Sequence, residues 1–359
     1  AQNFQNVLHA ITQVYFGKVV LLDLISQYGG YPIFLKPILK ITGVSLISVT
    51  SILAFLMFIS FLFSGLFLYH ALKNKVLVIL GFFSYIFLHL LATSLWPYEV
   101  FFPYWPIRIL FPTFLIFISY FYFKDKSERL FYIIIALLSL GVIWNVDVGI
   151  VCFLSFLLAS SYEKFCEKDL FLTRSKAFLL HALKCVIFLF AILILISLYY
   201  KITYGDWANY GMLFAFHENY IQWHSPDGLS RLSMSGLWLL PVITYIVSLN
   251  CSANGMLQRK HNTDAYIFLL SILGIGIYSY HAYQHVPQIT PRDCYPAIFI
   301  ILLYLDRELT MTSFRSFFSA SKVRDYILNS KNSLLLSAIC FLIFPVFEIL
   351  AEIPLFETL

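Results

Sequence analysis

Apolar runs of membrane-spanning length follow one another along most of this chain. A helix needs about 20 apolar residues to cross a bilayer core, and runs bounded by charged residues, Pro or turn residues occur at about ten places. They lie at 43–72, 76–95, 107–123, 129–145, 147–162, 178–200, 233–250, 265–283, 289–305 and 333–352. Alternatively, 129–145 and 147–162 form one helix broken at Asn145–Asp147. The sequence therefore predicts an all-α polytopic transmembrane bundle of about ten spans.

The composition agrees with a membrane protein. Only 12% of the 359 residues are charged and 60% are hydrophobic, whereas soluble domains have about 25% charged residues. This excludes a soluble enzyme, a disordered scaffold and a partner of nucleic acid. The six cysteines form no C-x-x-C pair, which indicates small buried side chains rather than a metal or redox site.

The distribution of Lys and Arg predicts the orientation of the chain. With the N-terminus outside, the inner loops carry 16 cations and the outer segments seven, as the positive-inside rule requires. Both termini are then outside. Because the chain opens without a signal peptide, we expect one further helix before Ala1, which would be the eleventh span. The expected location is the bacterial inner (cytoplasmic) membrane.

Two regions follow from this pattern. Residues 1–42 are too polar to span, but NVLHAITQVYFG and YPIFLKPILKITG have amphipathic spacing, which predicts two helices in the outer interface. The alternative is a simple outer loop. Residues 43–359 form the transmembrane bundle, with a long outer loop at 201–232 and a basic inner loop at 306–332.

Ionisable residues gather at the predicted outer ends of the spans, where such groups usually face a cavity or a partner. Asp147 follows a break between two apolar runs, either as a functional carboxylate or as the N-cap of the next helix. Arg108 could bind a substrate or reach lipid phosphate, and Arg292 could instead pair with Asp293. The outer histidines lack metal-site spacing and indicate interfacial packing. No nucleotide-binding glycine motif is present.

Three stretches of the chain resemble segments of a known family. GKVVLLDLISQYGGYPIFLKPILKITG (17–43) resembles the first outer loop of the bacterial polytopic glycosyltransferases of the GT-C superfamily, and WNVDVGI (144–150) is similar to a Trp-Asn, acid, Gly element of the same proteins. SYHAYQHVPQITPRDCYPAIF (279–299) resembles their late outer loop, although the Arg-Ser-His element itself is absent and Arg292 comes later.

The resemblance implies an inverting membrane glycosyltransferase that takes a sugar from a polyprenyl-phosphate donor. The acceptor would be a glycan, lipid or protein at the outer face, and membrane lipids would surround the enzyme. The family's usual carboxylate follows its first transmembrane helix, which places it at or before Ala1. The implied catalytic carboxylates in this chain are Asp23 and Asp147. The implied substrate contacts are Lys18, Gln27, Tyr28, Arg108, Trp144, Asn145, His285 and Arg292.

A phosphate leaving group needs cations and amide donors rather than a strong acid, and one carboxylate suffices as base. No cofactor is expected, and the absence of an acidic D-x-D pair from the outer loops favours metal independence. Other classes stay open: a transporter or flippase of lipid-linked glycans, a polymerase or ligase of such glycans, and a structural membrane subunit.

Overall fold

The structure, a computed structural model, describes residues 2–94, 105–215, 239–258, 263–282 and 294–311. These residues form eleven α-helices and a short 3-10 helix, and no strand occurs among them beyond an isolated bridge between Val20 and Leu24. The helices are α1 Gln2–Tyr15, α2 Tyr31–Thr42, α3 Leu46–Ala71, α4 Lys75–Ser94, α5 Trp105–Asp125, α6 Glu128–Trp144, α7 Val146–Cys166, α8 Phe171–Tyr204, α9 Leu239–Leu257, α10 Asp264–Ala282 and α11 Tyr295–Met311; the 3-10 helix is Tyr210–Leu213.

The all-helical prediction is confirmed for the described residues. Five helices (α3, α5, α7, α8 and α9) are long and apolar enough to cross a membrane. The count of about ten spans stays a prediction, and the last predicted span, 333–352, lies outside the described residues. The two predicted interfacial segments are helical as α1 and α2, which pack against each other, and α2 also contacts α3 and α6.

Helix α8 is the largest departure from the predicted boundaries. It covers 34 residues, against a predicted span of 178–200, because neither Gly nor Pro interrupts the sequence between Leu170 and Gly205. Gly205, in the left-handed conformation, ends it. At 1.5 Å per residue the helix is about 51 Å long, which exceeds a bilayer core of about 30 Å.

Exposure separates central helices from peripheral ones. Most of α5 and α7 is buried, whereas only a small part of α3 and α8 is buried, as in lipid-facing helices. Helix α7 touches five others (α5, α6, α8, α9 and α10) and is the centre of the described bundle. The cysteine interpretation is confirmed for four of the five described cysteines, which are buried; it is wrong for Cys251, which is exposed.

The contacts define two ends of the bundle. At one end, segment 17–30 meets the start of α7 and the end of α8 through Val20, Val146 and Tyr200. We call it the predicted outer end, because the sequence assigns it to the outside. The opposite end is held by ion pairs and capping bonds. The carboxylate of Asp306 accepts hydrogen bonds from the backbone N–H groups of Lys73 (3.0 Å) and Asn74 (2.7 Å) in the α3–α4 turn.

Candidate functional site

The junction between α6 and α7 is the backbone of the candidate site. The sequence left open whether one helix or two run through it, and the structure has two, separated by Asn145. Asn145 is extended, and its side-chain oxygen accepts a hydrogen bond from Val148 N (3.2 Å), which makes it the N-cap of α7. The alternative role considered for Asp147, the helix cap, therefore belongs to Asn145. Asp147 lies in the first turn of α7, where the helix dipole favours a negative charge.

Arg108 and Asp147 form a buried ion pair at this junction. Arg108 comes from the first turn of α5, and its Nη2 lies 3.8 Å from Asp147 Oδ2. Only 6% of the Arg108 side chain and 3% of the Asp147 side chain are exposed. The Nη2–Oδ2 distance exceeds the 2.7–2.9 Å of a charge-assisted hydrogen bond. Asp147 therefore neutralises the guanidinium at this contact without receiving a hydrogen bond from Nη2.

Asn145 brings a second polar group to the junction. It is 2% exposed, and while its oxygen caps α7, its amide nitrogen Nδ2 has no hydrogen-bond partner among the described residues. A buried amide donor without a partner costs about 1–3 kcal/mol. Such a group is often explained by a ligand, a water or a function.

Segment 17–30 covers this junction. The guanidinium carbon of Arg108 lies 5.3 Å from the centre of the Tyr28 ring, within the range of a cation–π contact. Gly30 N donates a hydrogen bond to Ile143 O (2.7 Å). Gly29 has a φ of +89°, and a Cβ there would be 2.8 Å from Trp144 O. Glycine is thus needed for the backbone of this segment to lie directly on the end of α6.

Trp144 fastens α6 to α5. Its indole Nε1 donates a hydrogen bond to Ile107 O (2.8 Å), one residue before Arg108. The ring is 5% exposed and packs against Tyr31, Phe34 and Phe111. The structure therefore shows Trp144 as a buried side chain that positions the first turn of α5.

The contacts given for the other predicted site residues of segment 17–30 are with groups other than Arg108 and Asp147. Lys18 Nζ is 3.8 Å from Asp23 Oδ2, and both side chains are about half exposed (52% and 46%). Asp23 Oδ1 also accepts a hydrogen bond from Val19 N (2.6 Å). Gln27 is half-buried and accepts a hydrogen bond from Asn6 Nδ2 in α1. The roles predicted for Lys18, Asp23 and Gln27 stay predictions.

The same segment is anchored to α8 and to the residues after it. Tyr200 Oη donates to Val20 O (2.9 Å), and Asn209 N donates to Leu21 O (2.8 Å). Leu21 is fully buried with a φ of +71°, a backbone conformation that leucine rarely adopts. This conformation persists because the surrounding contacts determine it. Segment 17–30 is therefore held near its start, at Val20 and Leu21, and at its end, at Gly30.

His89 in α4 is a buried group that the sequence analysis did not single out. It is 2% exposed and packs against Tyr85, Trp105, Tyr295 and Phe61. Its Nδ1 lies 2.8 Å from Tyr85 O, and because a carbonyl only accepts, Nδ1 carries a proton. The sequence signal that could have identified it is that His89 is the one His in the apolar run 76–95.

His285 and Arg292 lie outside the described residues, so their predicted roles stay predictions. Among the described residues no group of three or more His, Cys, Asp or Glu side chains is placed to hold a metal ion. Comparison with known proteins identifies no relative: no family model, no curated protein and no solved structure matches the chain.

Proposed function

We propose that this protein is a membrane glycosyltransferase of GT-C type, which transfers a sugar from a polyprenyl-phosphate donor at the predicted outer end. The observation that supports the proposal most is the buried Arg108–Asp147 pair under Tyr28. It brings together a cation from α5, a carboxylate from the 144–150 element and an aromatic ring from segment 17–43. The 144–150 element and segment 17–43 are two of the three stretches on which the GT-C resemblance rests.

The residues suit the chemistry of such a transfer. The acceptor hydroxyl attacks the anomeric carbon while the bond between that carbon and the phosphate oxygen breaks, and the electron pair leaves with the phosphate. Asp147 takes the hydroxyl proton. Arg108 stabilises the negative charge that develops on the leaving phosphate. A single displacement of this kind inverts the anomeric configuration.

The buried location strengthens both roles. Charges interact more strongly away from water, so a guanidinium that is 6% exposed stabilises a leaving phosphate better than a surface cation does. The amide nitrogen of Asn145, two residues before Asp147 in the chain, is a further buried donor at this junction. The exposed Lys18–Asp23 pair lacks this advantage, and we therefore assign the base to Asp147 in preference to Asp23.

The test is sugar transfer by the purified full chain in lipid, from a panel of radiolabelled polyprenyl-phosphate sugars to extracted cell-envelope glycans and lipids. Loss of a general base typically costs 10²–10⁴-fold in rate, and we expect D147N to show about such a loss with one donor. E163Q is the matched control, since Glu163 is also a buried carboxylate with a cationic partner, Lys126 at 3.1 Å, but lies at the opposite end.

Three results would contradict parts of the proposal. Loss of transfer in D23N with D147N active would move the base to Asp23. Equal rates for wild type and D147N would remove Asp147 from the chemistry. If no donor is turned over and the protein instead moves lipid-linked glycans across the bilayer, the transporter hypothesis replaces the enzyme.

A further inference from the structure

We infer that Arg108 is a receptor for a phosphate group and that Asp147 occupies it as an internal, displaceable counter-ion until the ligand arrives. The inference rests on the proposed function and specifies how its site is controlled. The ligand class is a phosphate ester, supplied by a polyprenyl-phosphate head group or by free phosphate. In this scheme donor binding breaks the ion pair, and the break releases Asp147 for proton transfer.

The first argument is the loose geometry of the pair. Arg presents five N–H donors in a planar fork that matches carboxylate and phosphate oxygens at hydrogen-bond distance. The contact between Nη2 and Oδ2 is 3.8 Å long, so this attraction is Coulombic and lacks a hydrogen bond. The phosphodiester of a polyprenyl-phosphate sugar carries one negative charge, as Asp147 does, but its two free oxygens can accept hydrogen bonds from the guanidinium fork, which the 3.8 Å contact with Asp147 does not provide.

The second argument is that Asp147 can give up its partner without leaving its place. As the second residue of α7 it remains in the favourable field of the helix N-terminus when Arg108 turns to a phosphate. The break before α7 is fixed by the Asn145 cap and by the contact of Gly30 with Ile143. The carboxylate is thus held in position while its electrostatic partner changes.

The third argument comes from Asn145, two residues before Asp147. Its side chain is buried, its oxygen is committed to the cap, and its Nδ2 donor has no partner among the described residues. A ligand oxygen would satisfy it. A phosphate has enough acceptor sites to take hydrogen bonds from both a guanidinium and an amide.

An order of events follows from this arrangement. Before donor binding, Asp147 is engaged as the counter-ion of Arg108, with Oδ2 3.8 Å from Nη2. After donor binding, the phosphate takes the place of Asp147 beside Arg108, and the carboxylate becomes available to the acceptor hydroxyl. The base is therefore active only when a donor is present, and the donor binds before proton transfer.

The test is equilibrium binding of polyprenyl monophosphate, which carries no sugar and so allows no turnover, to the full chain in phosphatidylcholine nanodiscs. We expect D147N to bind it about tenfold more tightly than wild type and R108Q about tenfold more weakly, each corresponding to about 1.4 kcal/mol. D147E, whose longer side chain closes the gap to Arg108, should bind more weakly than wild type. N145S keeps a capping side chain but loses the amide donor, and it should also bind more weakly.

Controls identify the ligand group and the state of the protein. Polyprenol, which lacks the phosphate, should bind all variants equally, and E163Q should match wild type with the phosphate. Inorganic phosphate tests the other source: if it alone gives the expected order of variants, the receptor is for a soluble phosphate and not for a lipid head group. Thermal unfolding of each variant identifies any that fails to fold, and the opposite shifts of D147N and D147E provide two independent tests.

Weaker or unchanged binding by D147N, or unchanged binding by R108Q, would overturn the inference. Its failure is separable from failure of the proposed function. If the protein transfers sugar but D147N binds polyprenyl monophosphate as wild type does, the proposed enzyme stands and the role of Asp147 as a displaceable counter-ion is wrong. The expected order of binding without transfer from any donor leaves a phosphate receptor whose function is not glycosyl transfer.

Discussion

A double-mutant cycle on Arg108 and Asp147 tests whether burial makes this ion pair energetically important. The variants are R108Q, D147N and the double variant, which replaces both charges by neutral amides. At 3.8 Å and an effective dielectric constant of about 20, two unit charges attract by about 4 kcal/mol. Removing one partner of a buried pair typically costs about 3–5 kcal/mol, because the other charge stays buried without this partner.

We therefore expect each single variant to lose about 3 kcal/mol of unfolding free energy and the double variant to lose less than the sum by about 2–4 kcal/mol. The assay is reversible unfolding of the full chain in mixed micelles, followed by tryptophan fluorescence. The Lys18–Asp23 pair is a matched control, because its N–O distance is the same 3.8 Å while its side chains are about half exposed. Its cycle with K18Q and D23N should give a coupling below about 1 kcal/mol after solvent screening. Additive losses at Arg108 and Asp147, within about 0.5 kcal/mol, would refute the reasoning.

Three further changes test how the site is built. G29A should lower the unfolding temperature by several degrees, because a Cβ would meet Trp144 O at 2.8 Å and φ is +89°; an unchanged melting curve would contradict this close contact. W144F should cost about 1 kcal/mol by losing the hydrogen bond to Ile107 O, measured in the same unfolding assay; a loss no larger than the error would deny the bond. D306A should accelerate amide hydrogen exchange at Lys73 and Asn74, because their backbone N–H groups donate hydrogen bonds to the Asp306 carboxylate. Exchange as slow as in wild type would contradict these hydrogen bonds.

Local structure could be predicted well from the sequence. Continuous apolar runs predicted the helices, and the polar Asn145–Asp147 interruption marked the boundary between α6 and α7, because it combines a capping side chain with an acidic first turn. The spacing in YPIFLKPILKITG predicted α2, whose Tyr31, Leu35 and Leu39 are buried on one face. The same features marked the neighbourhood of the candidate site.

Contacts between distant segments could not be predicted in this way. Arg108 and Asp147 are 39 positions apart, and nothing in their local sequences indicates that α5 and α7 bring them together. Likewise, Asp306 reaches a turn 232 positions earlier in the chain. Side-chain exposure was the other unpredictable quantity: Asp23 and Asp147 both follow apolar residues, yet the structure exposes one and buries the other.

The buried phenol of Tyr31 shows why position in the sequence does not reveal function. Tyr31 lies three residues after Tyr28, which contacts Arg108, but it is 1% exposed and donates a hydrogen bond to Val7 O (3.4 Å). Burial, with a smaller contribution from Tyr28, raises the pKa of Tyr31 far above its ordinary value. Tyr31 therefore stays neutral and joins α2 to α1, and we assign it no part in proton transfer.

The most direct test of the account is steady-state transfer by wild type, R108Q and D147N with the donor that the panel identifies. If Arg108 holds the donor phosphate and Asp147 takes the acceptor proton, D147N loses kcat by about 10²–10⁴-fold without a rise in the donor KM. R108Q should raise the donor KM and lower kcat. Transfer at wild-type kcat and KM by both variants, with E163Q also unchanged, would contradict the assignment of the active site to this ion pair.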